Sequence, residues 1–123
     1  MSRFPLLLSL LLVLYGGIAQ AADRKDAELA LAQASTAVQA ARRDDAQTYA
    51  PADFATAQTT LNTSLEAFDA RAWTNSLIYA ERARVDGELA GARSRQVRAE
   101  TAATELERSL DTLRAQVSAG GAP

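Results

Sequence analysis

The segment from Ala70 to Ala119 contains no proline and no pair of adjacent glycines, and this constrains the fold more than any other feature. Its composition is dominated by Ala, Leu, Arg and Glu, which are strong helix formers. It shows no alternation of β-branched residues of the kind that marks a strand. We therefore predict one uninterrupted helix of about 48 residues, which at 1.5 Å per residue is roughly 72 Å long.

Along this helix, mostly apolar side chains recur at spacings of 3, 4 and 7, which is typical of a coiled coil. They are Ile78, Val85, Leu89, Ala92, Gln96, Ala99, Ala103, Leu106, Leu110, Leu113 and Val117. Two shorter helices that precede the segment can cover only its first half, so the seam from Leu106 to Val117 needs another partner. The helix either folds back at Gly87 or Gly91 or pairs with another molecule, and we favour pairing.

The first of the shorter helices is predicted from Asp23 to Arg43, with acidic residues in its first turn and arginines in its last, as the helix dipole favours. Its apolar seam is Ala27, Leu31, Ala34, Val38 and Ala41. The second begins at Pro51, since proline suits the first helical turn. It is predicted to end near Phe68, with Asp69 as the N-cap of the long helix. Its buried stripe is predicted to be Phe54, Ala57, Leu61, Leu65 and Phe68.

The predicted fold is all-α: an antiparallel helical hairpin or three-helix bundle whose long C-terminal helix extends as a coiled coil. The bundle is assigned to residues 22–98, the coiled-coil extension to 99–118 and a disordered tail to 119–123. Gly87 and Gly91 have the small-xxx-small spacing of close helix contacts. Charged residues surround them, so we interpret this pair as tight packing within the chain.

Residues 1–21 have the pattern of a cleavable export signal. Arg3 gives a positive start, Phe4 to Ile18 is almost wholly apolar, and Ala19 and Ala21 form the small-x-small site that a signal peptidase cuts. The apolar run of about 15 residues is shorter than the 20 or so that span a membrane. We therefore expect a periplasmic protein that is soluble after cleavage.

Composition excludes several kinds of chemistry. The chain has no cysteine and no histidine, which excludes thiolate and imidazole metal sites and the usual nucleophilic dyads. A net charge of −2 argues against a nucleic-acid binder. There is no glycine-rich phosphate loop, and a narrow bundle gives paired carboxylates no pocket in which to work. We expect no cofactor, no metal and no enzymatic activity.

Aromatic and arginine residues supply a candidate partner-binding face: Trp73, Tyr79, Arg82, Arg93 and Arg95. The aromatics of this region are expected mainly in the bundle core, since aromatic side chains dominate cores. The alternative is an exposed aromatic groove. The arginines are expected mainly on a solvated face. The alternative is a stripe that meets an anionic envelope polymer or lipid head group.

Two segments carry a family resemblance. They are Tyr49-Ala50-Pro51-Ala52-Asp53-Phe54-Ala55-Thr56-Ala57 and, after Leu61 and Ala67, Ser76-Leu77-Ile78-Tyr79-Ala80-Glu81-Arg82-Ala83-Arg84-Val85-Asp86. Over roughly residues 25–95 the chain resembles domain-of-unknown-function family 4398. The resemblance implies an alanine-rich helical-hairpin module in a bacterial envelope protein. Members of that family are often lipoproteins, and some carry a peptidoglycan-binding OmpA-like domain.

Together these features predict a structural or adaptor component of the Gram-negative envelope that acts through protein contacts. Expected partners are further copies of the chain, through Leu106, Leu110, Leu113 and Val117, and OmpA-like proteins encoded elsewhere. No nucleic acid is expected, and any contact with membrane or peptidoglycan is expected to be indirect. A periplasmic holdase chaperone is the alternative, and an envelope hydrolase using a carboxylate such as Asp44 or Glu66 is a third hypothesis.

Overall fold

In the computed structural model, which describes residues 22–121, the chain forms four helices. They are α1 (Arg24–Arg43), α2 (Ala46–Tyr49), α3 (Pro51–Asp69) and α4 (Trp73–Gly120). The described residues contain no strand, so the all-α prediction is confirmed. The helix α4 has 48 residues, which is the length predicted from the proline-free segment. The predicted export signal, with Ala19 and Ala21, and the last two residues lie outside the described range.

Local sequence explains where the helices begin. Asp23 caps α1: its Oδ1 accepts from the Asp26 N–H at 2.9 Å, and Asp26 Oδ2 accepts from the Asp23 N–H at 3.2 Å. This reciprocal pair satisfies two amide donors that the first helical turn leaves without partners. Pro51 stands at the first position of α3, as predicted.

The turn between α3 and α4 differs from the prediction. Asp69 is the last residue of α3, and the N-cap of α4 is Ala72. The reason is a backbone-capped turn, in which the Arg71 N–H donates to Phe68 O and the Ala72 N–H donates to Ala67 O, both at 2.9 Å. These bonds place Arg71 in the left-handed region at φ 59°.

The helices α1 and α3 both pack mainly against α4 and much less against each other. The helices α1 and α4 run in the same direction. Gly87 lies against Ala37, and one turn later Gly91 lies against Ala41. Contacts between α3 and α4 run in opposite order, from Ser64–Ser76 at one end to Asp53–Arg93 at the other. The bundle is therefore an up-down-up arrangement in which α1 and α4 are parallel.

Small side chains fill the interface that α4 makes with the bundle. Its buried residues are Ser76, Ala80, Ala83, Gly87, Ala90, Gly91 and Ser94. A Cβ on Gly87 would lie 3.0 Å from the Ala37 carbonyl carbon and 3.1 Å from the Val38 nitrogen, so two backbones are in direct contact there. The prediction that the Gly87–Gly91 pair serves tight packing within the chain is confirmed. On α1, Ala27, Ala34, Val38 and Ala41 are buried as predicted, and Leu31 is half-buried.

The larger apolar residues of α4 lie elsewhere, which corrects the expectation that the short helices cover the first half of the predicted seam. Ile78, Val85 and Leu89 are all exposed. Backbones separated only by Ala, Ser and Gly approach more closely than Leu or Val would allow, so packing selects the small-residue face. On α3, Phe54 and Ala57 are buried, but Leu65 is exposed and Phe68 is half-buried.

Beyond the bundle, α4 continues as a single projecting helix. Every described residue from Arg95 onward is exposed, and the helix does not fold back at Gly87 or Gly91. From Arg98 to Gly120 the projection is roughly 33 Å long. The helix includes Ala119 and Gly120, which were expected in the tail. It ends at Gly120, and the N–H of the C-cap residue Gly121 donates to Val117 O at 3.0 Å.

Candidate functional site

The helix α4 carries two different apolar faces on nearly opposite sides. One is the buried small-residue face. The other, here called the α4 stripe, consists of Ile78, Val85, Leu89, Ala92, Gln96, Ala99, Ala103, Leu106, Leu110, Leu113 and Val117. With 3.6 residues per turn, the two faces lie about 150° apart around the helix axis. The bundle is therefore complete without using the stripe.

The α4 stripe is exposed over its whole length. Its Ile, Leu and Val side chains are between 43 % and 67 % exposed. Its alanines and Gln96 are exposed as well, so the stripe runs unbroken from the bundle onto the projecting arm. The candidate self-association residues Leu106, Leu110, Leu113 and Val117 form its C-terminal end. The stripe combines them with Val85 and Leu89, which sequence reasoning had placed inside the bundle.

Charged side chains flank the α4 stripe near the end of the bundle. In a heptad frame with Leu89 and Gln96 at a, Glu88 and Arg95 take g positions, and Arg93 and Glu100 take e positions. These are the positions that face a partner helix across a coiled-coil interface. On each side of the stripe the charge therefore changes sign from one heptad to the next: from Glu88 to Arg95 at g and from Arg93 to Glu100 at e.

Three arginines of α4 pair with three aspartates of the segment before and at the start of α3. Arg93 Nη1 lies 3.1 Å from Asp53 Oδ2, Arg98 Nη1 lies 3.7 Å from Asp45 Oδ2, and Arg95 pairs with Asp44. All three arginine side chains remain about half exposed or more. These ion pairs link the α1–α3 connection and the first turn of α3 to α4, and because they are exposed each contributes about 1 kcal/mol or less.

The aromatic residues divide between the two ends of the bundle. Phe68 and Trp73 meet edge to face at the α3–α4 turn, with ring centroids 5.0 Å apart. Phe54 is buried toward the other end, where Tyr49 is exposed. Of the aromatics expected in the core, Phe54 is the buried one. The described aromatics do not gather into a single exposed groove.

The structure does not bring the candidate partner-binding face together. Trp73 lies at the turn, and Tyr79 packs against Arg82 with the guanidinium carbon 5.7 Å from the ring centroid. Arg93 and Arg95 lie four to six turns further along α4, beside the aspartates. Of these residues only Arg82 takes an a position in the register of the α4 stripe, and Arg93 and Arg95 flank the stripe at e and g.

Sequence reasoning missed three buried serines, which are the largest fully buried side chains among the described residues. Ser64 Oγ donates to Ser76 O at 2.7 Å, and Ser76 Oγ donates to Ser64 O at 3.0 Å. Ser94 Oγ donates to Asp44 O, which ties the end of α1 to α4. The signal in the sequence is the recurrence of Ser, Ala and Gly every three or four residues from Ser76 to Ser94.

The concave surfaces are shallow. The largest described cavity has a volume of about 550 Å³ and is open to solvent beside Tyr49, Pro51, Arg93 and Val97. Within residues 22–121 no three carboxylates gather closely enough to hold a metal ion. None of the four helices is long and apolar enough to cross a membrane.

The family described as "Domain of unknown function (DUF4398)" matches residues 29–106, which is well over half of the chain. The chain belongs to this family. The DUF4398 match begins within α1 and covers the rest of the bundle. It ends at Leu106, the first leucine of the projecting arm. No curated protein and no solved structure matches the chain.

Proposed function

We propose that this DUF4398 protein is a non-enzymatic adaptor of the bacterial cell envelope that acts in the periplasm by contacting other proteins along the α4 stripe. One observation carries the proposal: the stripe stays exposed although the bundle is already packed. Contiguous exposed apolar surfaces of this kind mark protein interaction sites. A projecting helix also presents the stripe clear of the bundle.

The proposed location rests on residues 1–21, whose charge, apolar run and Ala19-Gln20-Ala21 match an export signal. OmpA-like proteins are candidate partners because the family resemblance points to the envelope. Contact with membrane or peptidoglycan is then indirect, through such partners.

The location is tested by fractionating a Gram-negative host and measuring the mass of the purified chain. We expect the protein in the periplasmic fraction with Ala22 as its first residue. A cytoplasmic chain that retains residues 1–21 would contradict the proposal.

The binding role is tested by photo-crosslinking in cells. A photo-reactive residue at Leu106, on the stripe, is compared with one at Arg108, on the opposite side of the same exposed arm. We expect adducts with an envelope protein, identified by mass spectrometry, from position 106 alone. Equal adducts from both positions would mean that the stripe is not the binding surface.

A holdase chaperone is the second candidate, and exposed apolar residues outside the stripe favour it. Leu29 on α1 and Leu65 on α3 are 62 % and 44 % exposed. A holdase suppresses aggregation of a chemically unfolded client at equimolar ratio, and it loses this ability when Leu29 and Leu65 become polar. An adaptor leaves client aggregation unchanged.

A further inference from the structure

We infer that the α4 stripe binds a second copy of the same chain, in a parallel, in-register coiled coil that runs from Val85 to Val117. This inference rests on the proposed function, because it names the partner of the same surface. The evidence is the pairing of residues that this register creates, compared with the antiparallel alternative.

The apolar layers suit two identical helices. In parallel register each stripe residue meets its own counterpart, so Leu106, Leu110, Leu113 and Val117 form four large layers. Ala92, Ala99 and Ala103 form small layers that let the helices approach closely. Gln96 meets its counterpart at an a position, where a polar residue favours in-register pairing.

The flanking charges favour the parallel orientation. In a parallel coiled coil, a g residue faces the e residue five positions later in the partner. Glu88 then faces Arg93, and Arg95 faces Glu100, which gives four attractive pairs per dimer. Glu81 faces Asp86, which gives two repulsive pairs, and Arg82 would meet its own counterpart at an a position, so the paired segment begins at Val85.

The antiparallel arrangement lacks this excess of attractive over repulsive charge pairs. The register that overlaps the two stripes completely sets Arg93 against Glu100 but Asp86 against Glu107, so attraction and repulsion cancel. It also sets Arg82 against Leu113, which buries a charge beside an apolar side chain.

The arginines can serve both the bundle and the dimer. Arg93 and Arg95 keep 59 % and 60 % of their side-chain surface exposed while bound to Asp53 and Asp44. A guanidinium has five N–H donors, so it can hold an intramolecular carboxylate and one from a partner together. The bundle therefore positions these two side chains at the edge of the stripe.

The test uses two substitutions with the same charge change, one heptad apart on the same flank. Glu88→Arg sets arginine against Arg93 and also removes the pair that Glu88 forms with Arg84 in its own helix at 2.8 Å. It is expected to raise the dimer dissociation constant on the order of tenfold, because the two symmetric pairs across the interface reverse. Glu81→Arg removes the repulsion from Asp86 and is expected to lower the dissociation constant by a similar factor. Sedimentation equilibrium of residues 22–123, which contain the whole bundle, measures both values.

Orientation is read from single cysteines, since the chain has none of its own. Ala103→Cys and Val117→Cys are each expected to form an intermolecular disulfide on mild oxidation in the parallel dimer. A disulfide that forms only when Ala92→Cys and Ala103→Cys chains are mixed would overturn the inference in favour of the antiparallel register.

Two further results would overturn it. One is a monomeric wild type at high micromolar concentration, and the other is equal dissociation constants for the two glutamate variants. Either would leave crosslinking from Leu106 to a different envelope protein as a separate result, so failure of the dimer is distinguishable from failure of the adaptor role.

Discussion

Gly87 and Gly91 lie one turn apart on the buried face of α4, yet replacing each with alanine should shift stability in opposite directions. In both cases alanine favours the helix by about 1 kcal/mol over glycine. The difference comes from what the new methyl group meets.

At Gly87 the added Cβ meets rigid backbone. Its nearest neighbours are the Ala37 carbonyl carbon at 3.0 Å, the Val38 nitrogen at 3.1 Å and the Ala37 oxygen at 3.2 Å. Comfortable carbon contacts need about 3.5–4.0 Å, so α1 and α4 must move apart by several tenths of an ångström. Overpacking of this kind costs about 1–3 kcal/mol. Because that cost exceeds the gain in helix propensity, we expect a net loss of about 1 kcal/mol.

At Gly91 the added Cβ meets mobile side chains. The nearest atom is Asp44 Oδ2 at 3.0 Å, followed by an Arg95 nitrogen at 3.4 Å, and the closest backbone atom of α1, Ala41 Cα, is 3.6 Å away. The Asp44 side chain can rotate to make room at small cost. We therefore expect Gly91→Ala to stabilise the protein by somewhat less than 1 kcal/mol, the propensity gain minus that rearrangement.

Thermal unfolding followed by circular dichroism at 222 nm measures both variants at one protein concentration. A change of 1 kcal/mol moves the midpoint of a domain of this size by about 4–8 °C. We therefore expect midpoints on either side of wild type. Gly120→Ala is the control, because its Cβ would have nothing within 4 Å. Equal stabilisation by Gly87→Ala and Gly91→Ala would refute the close backbone contact between α1 and α4.

Three further predictions concern the bundle. Arg71→Gly should raise the unfolding midpoint, because a left-handed non-glycine residue costs about 1 kcal/mol; Arg71→Ala is the control and should not. Ser64→Ala and Ser76→Ala should each cost about 1–2 kcal/mol by urea titration, and the double variant should cost less than their sum because the two side chains form one reciprocal unit. A chain ending at residue 101 should still unfold cooperatively, since the described residues beyond it are exposed; loss of cooperativity would show that the arm supports the bundle.

The helices themselves were predictable from the sequence. Proline positions, capping residues and composition are local signals, and they placed α1, α3 and α4 to within a few residues. The left-handed Arg71 was not predictable, because nothing local marks an arginine for that conformation. The short helix α2 was missed because its four residues carry no periodic pattern.

The choice of face on α4 was beyond hydropathy reasoning. Leu and Val are more apolar than Ala, Ser or Gly, so hydropathy assigned Val85 and Leu89 to the core. Packing selected the opposite face because small residues let α1 and α3 approach the backbone of α4. The pairing of Asp44 with Arg95 likewise depends on α1 and α4 being parallel, and these two residues are 51 positions apart.

The parallel course of α1 and α4 gives the molecule a direction. Ala22 lies beside Trp73 at the α3–α4 turn, whereas the tip of the arm is the full length of α4 away, roughly 72 Å. Two copies joined in parallel would have both Ala22 residues at one end and both tips at the other. Such an assembly is a spacer with two different ends. A molecule bound near Ala22 and a molecule bound at the tips would be held at a fixed separation.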